Sequence, residues 1–360
     1  MRSYVDAKAF SEALNKVSIV LKKTGIPALD EVTVHFTEST CKLVATDLNI
    51  WITAELPANG DTFSFTLSNT KNIAKACRYY SGSLLIDVRS VENDLRLTLR
   101  CSEKSGTFPV LSSEGSPVLP EDTVRKTYAV NTGTLLNRVK RIKYASIVRS
   151  DKPVLSGVCF KDTKIWCVDG YRLAVSNDPA LQVEKPFILP VEAMQYLQIF
   201  DKEDATLQIG AKYAIFKTGG LSLHTRLMDQ GSQIDLEKVW PQQSRERNVV
   251  HRAELLDAIK YLKEFPTKLE KPYVYFRDGI LTLHTNTGVY RAEIKVDGPC
   301  EVDFAFDLRY MKEALEQFSG SDYLTLSVSN PFAPILLTED GNGALILPVR
   351  IKEEWRNQAA

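Results

Sequence analysis

The sequence is poor in patterns that hold metals. Its four histidines, His35, His224, His251 and His284, stand far apart and form no HxH or HExxH pair, and its six cysteines, Cys41, Cys77, Cys101, Cys159, Cys167 and Cys300, include no CxxC. Neither a metal nor a cofactor is expected, and the cysteines read as reduced, buried, small hydrophobes. No apolar run is long enough to cross a bilayer, and the opening MRSYVDAKAF puts a charge and a tyrosine where a secretory signal needs apolar residues. The chain is expected in the cytoplasm. Also missing are a Gly-rich phosphate loop and a G-x-S-x-G elbow, so an enzyme, a hydrolase built on Asp169, Arg172 and His224, is the weak alternative. An excess of positive charge is absent too: 45 basic residues balance 45 acidic ones, which excludes DNA affinity gained by blanketing phosphates with cations. A local basic surface on a neutral molecule remains open.

What the chain does have is length for more than one core and a threefold internal repeat. Ala13-Leu14-Asn15-Lys16-Val17, Leu135-Leu136-Asn137-Arg138-Val139 and Leu255-Leu256-Asp257-Ala258-Ile259 recur at about 120 residues, one domain length. Apolar residues within them fall at helical spacing, as in Phe10, Leu14, Val17 and Leu21, so each predicts a helix with one buried face. Alternating strands follow over 31–56, 157–176 and 273–296. A second helix is expected over 68–80, 191–200 and 308–318, and strands over 83–99, 206–226 and 323–337 close each unit. Short turns pair such strands antiparallel, with two helices covering one face. The expectation is an α+β protein of three similar domains, 1–122, 126–242 and 247–360, divided at polar stretches next to prolines.

Basic residues recur on the helix faces. Lys71, Lys75 and Arg78 stand at i, i+4 and i+7, and Arg138 and Arg141, like Lys260 and Lys263, at i and i+3. One such stripe is usually a solvated surface. Its return in all three repeats points to a shared polyanion, and three like domains in a row build a curvature that encloses something.

Three motifs carry a family resemblance: Leu43-Val44-Ala45-Thr46-Asp47-Leu48, Val168-Asp169-Gly170-Tyr171-Arg172-Leu173-Ala174-Val175, and Leu347-Pro348-Val349-Arg350-Ile351. In this order, on a threefold repeat, the chain resembles the bacterial DNA polymerase III β subunits, the sliding clamps, over essentially its whole length. The resemblance implies the DNA clamp fold, a head-to-tail homodimer closing a six-domain ring, and a processivity factor that encircles duplex DNA without needing to grip it. It implies as partners a replicative polymerase, a clamp loader and other proteins bearing clamp-binding motifs, docked in an apolar groove between the second and third domains. Carried over by motif, that groove comprises Leu155, Val168, Gly170, Tyr171, Arg172, Leu173, Lys238, Val239, Ile335, Ile346, Leu347, Pro348, Val349 and Arg350, with Arg172 and Arg350 anchoring polar ends.

The resemblance also places Lys23, Arg149 and Lys152 near DNA-touching loops, which with Lys22, Lys71, Lys75, Arg78, Arg138, Arg141, Lys260 and Lys263 make the expected DNA-facing set. The ring should close through Phe108 and Val110 of one chain against Tyr261, Leu262 and Phe265 of the next. The chain departs from the family at Tyr171, where a histidine is usual, at Ile234, where a proline is common, and in a tail past Ile351 that carries Trp355 to the groove's rim. These departures mark a divergent member, of the kind a phage or mobile element carries with its own partners. The other reading is a clamp-fold scaffold without a replicative role.

Overall fold

The computed structural model describes residues 1–350 except 93, 149, 230–233, 242, 266–271 and 286–287. The same order of elements, strand, helix, strands, helix, strands, occurs three times along the chain. The first helices are Ala7–Val17, Thr132–Ile142 and Arg252–Lys263, and each turns its repeated aliphatic residue inward: Val17, Val139 and Ile259 are buried. Burial of such a side chain stabilises by roughly 1.5–3 kcal/mol.

Each of these helices begins at a residue whose side chain accepts a hydrogen bond from a backbone N–H three positions on. Asp6 takes Ala9 at 2.8 Å, Asn131 takes Thr134 at 2.9 Å and His251 takes Glu254 at 3.4 Å. The second helices Thr70–Cys77 and Leu308–Gln317 are capped by Asn69 and Asp307. The middle one differs from the sequence expectation. Over 191–200 a single α-turn, Val191–Met194, gives way to a 3-10 segment, Gln195–Phe200. Its buried residues Tyr196, Leu197, Ile199 and Phe200 recur at three, a spacing compatible with the three residues per turn of the 3-10 form.

The described residues form two compact units, one within 1–136 and 192–227, the other within 137–191 and 228–350. In the first unit, Arg2–Asp6 pairs with both Ser83–Val91 and the far end of Ile50–Gly60, so the strands of the first repeat close on themselves. The near end of Ile50–Gly60 pairs instead with Leu221–Arg226, extending the sheet to twelve strands. The helices Ala7–Val17 and Thr70–Cys77 pack together on this unit. Asp122 fastens the segment that follows the first repeat: its carboxylate accepts the N–H groups of Ala211, Lys212 and Tyr213 at 2.7–3.1 Å.

In the second unit, Arg172–Asn177 pairs antiparallel with Asn342–Ile346, which joins strands from two repeats into a nine-stranded sheet. A separate four-stranded sheet backs the helices Arg252–Lys263 and Leu308–Gln317. Strands of the middle repeat therefore belong to two different sheets, which is why the compact units are two although the element order repeats three times. All six cysteines are free and five are buried. Cys300 is half-buried. Among the described residues no helix is long and apolar enough to cross a membrane.

Candidate partner-binding surface

The second sequence motif is a turn before it is anything else. Asp169 Oδ1 accepts the N–H of Tyr171 at 2.9 Å and of Arg172 at 3.0 Å, and its own N–H donates to the Arg172 carbonyl at 3.2 Å. Gly170 takes φ +93° at the tip, where only glycine is unstrained. The first motif builds the same turn at Asp47, which accepts Asn49 and Ile50 N–H at 3.1 and 2.9 Å, with Leu48 at φ +71°. The two differ in the other carboxylate oxygen: Asp47 holds Lys22 at 2.7 Å, and Asp169 holds Arg172 Nε at 2.8 Å.

Arg172 is enclosed. Its guanidinium also donates to Glu313 and, at 2.6 Å, to the Tyr144 carbonyl, and it lies over the Tyr310 and Tyr144 rings at 4.4 and 5.1 Å. Burial disfavours its charge, but the bonds with Glu313 and Asp169 prevail and raise its pKa above the ordinary guanidinium value. The expectation that Arg172 anchors a ligand is corrected here: each of its three guanidinium nitrogens already donates within the chain. The same contacts remove the imagined catalytic group, since Asp169 and Arg172 serve the turn. His224 belongs to the other unit, buried and bonded to Ser222.

Next to this brace, pairing of Arg172 with Ile346 and Leu173 with Leu345 brings the second and third motifs side by side. The Leu347 N–H donates to the Tyr171 carbonyl at 2.9 Å, and Val349 N–H to the Ala305 carbonyl at 2.8 Å, so residues 347–349 are held on one edge. Tyr171, Val239 and Leu347 are 55%, 40% and 40% exposed. Gly170, Lys238 and Arg350 are exposed, and Leu155, Pro348 and Val349 half-buried. Val168, Leu173, Ile335 and Ile346 are a second correction: each is at most 6% exposed and fills the core. Their strands are buried on both faces, with Cys167, Ala174, Leu336 and Leu345 buried as well, and exposure at this edge begins only past the strand ends, at Gly170 and Tyr171 and at Leu347.

Sequence reasoning missed Met228 and Trp240, half-buried beside Leu155 and Ile234 against the same core cluster, and Phe332, 67% exposed with Arg350 at 5.9 Å from its ring. An isolated large apolar residue in a loop, as in Ser329-Asn330-Pro331-Phe332, was the available signal. The tail with Trp355 lies outside the described residues.

Of the expected DNA-facing residues, Lys23, Lys71, Lys75, Arg78, Lys152, Lys260 and Lys263 are exposed. Lys22 is held by Asp47. Arg138 is corrected: its guanidinium turns inward to the Asn177 carbonyl and lies 3.3 Å from Asp178. Arg141 bonds Ser319 Oγ at 3.2 Å, and Arg149 is outside the described residues. Among the residues expected to close a ring, Tyr261 is 48% exposed, and Phe108 and Phe265 are half-buried. Phe265 stacks on Tyr290 at 3.6 Å and meets Tyr261 edge-on at 5.0 Å. Leu262 and Val110, 0% and 5% exposed, are core residues and present no surface to a second chain.

No protein-family profile matches the chain. A curated relative, the β sliding clamp of Caulobacter vibrioides, is 22% identical over 379 aligned residues, covering 98% of this chain and all of that protein. Among solved structures, the DNA polymerase III β subunit of Pseudomonas aeruginosa superposes with a TM-score of 0.82 at 17% identity, covering 98% of this chain and all of the other. The Bacillus subtilis sliding clamp gives 0.81 at 19% identity with the same coverage. The class is thereby defined: the chain has the bacterial DNA clamp fold over its full length. Within that class it is similar to the β subunit of DNA polymerase III, the sliding clamp.

Proposed function

We propose that the chain is a DNA polymerase processivity factor, acting as a homodimeric ring of six domains, three per chain over 1–122, 126–242 and 247–360, around duplex DNA. The observation that carries this reading is the pairing of Arg172–Val175 with Gly343–Ile346, which assembles two distant motifs into one apolar edge on a full-length clamp fold. On this reading Leu155, Gly170, Tyr171, Lys238, Val239, Leu347, Pro348, Val349 and Arg350, joined by Met228, Ile234, Trp240 and Phe332, receive short linear motifs of a polymerase, a clamp loader and other partners. Burial of a leucine or phenylalanine there contributes about 25 cal/mol per Å². Lys23, Lys71, Lys75, Arg78, Lys152, Lys260 and Lys263 meet phosphates weakly and without sequence preference, and Tyr261 and Phe265 meet Phe108 of the next chain. The ring supplies topology and no catalysis, as an accessory subunit inside the cell.

Light scattering should give twice 40.4 kDa, and protein loaded on nicked circular DNA should stay bound in salt and leave once the circle is cut. A monomer at micromolar concentration, or equal retention on circular and linear DNA, would overturn the ring. A non-replicative scaffold would bind peptide yet fail the DNA assay.

A further inference from the structure

The unit of residues 1–136 and 192–227 contains a cleft of about 560 Å³ that shares no residue with the surfaces described above. Strand register builds it. Lys42 stands opposite Glu55, Thr53 opposite Ser222, and Ser222 opposite Lys217, so alternation puts these side chains on one face, with His224 two residues beyond Ser222. Leu56, Leu119 and Ile215 add apolar wall. The hairpin end approaches closely because residue 220 is glycine: a Cβ there would lie 2.3 Å from the Glu55 carbonyl oxygen.

A polar chain runs into the cleft wall. Thr53 Oγ1 and Ser222 Oγ are 2.8 Å apart, and Ser222 Oγ is 2.9 Å from His224 Nε2. His224 is 7% exposed, and its Nδ1 has no hydrogen-bond partner. A buried imidazole with one nitrogen satisfied and the other idle is costly unless something binds it. Lys42 and Lys217 both act on this ring: burial first, then the two ammonium charges, push its pKa down to about 4, so it is neutral at neutral pH. Neither lysine enters an ion pair among the described residues. Two cations with no ion-pair partner thus share the cleft with one neutral ring, while Glu55 on the same face disfavours an extended polyanion.

We infer that this cleft binds a small organic anion, a carboxylate or phosphate on an apolar body, with Lys42 and Lys217 taking the charge, His224 Nδ1–H donating to it, and Leu56, Leu119 and Ile215 holding the body. In the tautomer this requires, the Thr53 hydroxyl donates to Ser222 Oγ and the Ser222 hydroxyl to His224 Nε2, leaving the proton on Nδ1. The bound anion offsets the two ammonium charges, so His224 becomes easier to protonate when the site is filled.

The test is titration of the full chain, labelled with 15N-histidine, with phenyl phosphate, benzoate and inorganic phosphate, following imidazole shifts. One of the four histidine signals, assigned by its loss in His224→Phe, should move saturably with phenyl phosphate or benzoate, and its pKa should rise. Whichever of the two binds tighter identifies the anionic group. The double variant Lys42→Ala/Lys217→Ala should weaken binding about tenfold or more, with the other three signals in place to show an intact fold. No saturable histidine shift with any of the three, or equal affinity in the lysine variant, would overturn the site. Equal affinity for phenyl phosphate and inorganic phosphate would remove the apolar body from it.

Discussion

Replacing Arg172 by alanine tests whether this residue braces the fold or waits for a ligand. Its side chain is 10% exposed, and removing it leaves the Asp169 carboxylate, 9% exposed, and the Tyr144 carbonyl short of a donor. Glu313, 45% exposed, recovers its solvation from water. Truncating one member of a fully buried pair costs about 3–5 kcal/mol. The half-exposed Glu313 lowers that and the lost stacking on Tyr144 and Tyr310 partly restores it, so about 2–4 kcal/mol is expected. For a unit of this size the melting temperature should fall on the order of 5–10 °C. Arg172→Lys keeps the charge but not the fork of donors, and should recover less than half of the loss. Thermal and urea unfolding measure both variants, and the affinity of a clamp-binding peptide for Arg172→Lys, measured below its transition, separates the two roles. An Arg172→Ala protein as stable as the parent, or a large affinity loss in a stable Arg172→Lys protein, would refute the brace.

Asp122→Ala should cost about 1–3 kcal/mol at neutral pH. Burial raises the Asp122 pKa, but N–H donation from Lys212, Tyr213, Ala211 and Thr123 prevails and holds it below the ordinary value. The stabilisation is therefore complete above the unfolded value of about 3.9 and is lost as pH falls through the lower folded value, so parent and variant should converge in acid denaturation. Leu262→Ala should lose about 2–5 kcal/mol of stability, whereas Tyr261→Ala should shift the monomer–dimer balance in sedimentation with a stability change of about 0.5 kcal/mol or less. Lys71→Glu/Lys75→Glu and Lys260→Glu/Lys263→Glu should leave melting unchanged and flatten the salt dependence of DNA retention. Arg138→Glu should instead unfold the chain at lower temperature, because the Asp178 carboxylate then faces a like charge.

Local rules made much of the fold legible. The first helices follow from apolar spacing, and Asn69 and Asp307 cap two of the second helices, both residue types that favour such a position. The 3-10 segment over 195–200 was misread because its apolar pairs fit a period of three and of 3.6 almost equally over six residues. The candidate surface was half legible. Motif resemblance found the right strands, but within a motif it did not separate Val168, Leu173 and Ile346, buried in strands, from Tyr171 and Leu347, exposed just outside them.

By itself the sequence determined the neutral charge balance, the lack of metal-binding patterns, the threefold order of helices and strands, and the turns at Asp47 and Asp169. These depend on residues a few positions apart, whose spacing the chain states directly. Only the tertiary structure decided that middle-repeat strands divide between two sheets, that Arg172 and Arg138 spend their charges inward, that Leu262 and Val110 are core, and that Lys42, Lys217 and His224 line one cleft. Each of these depends on which strand lies beside which and at what register, a choice set by the burial of whole sheet faces and one that no local stretch of residues encodes.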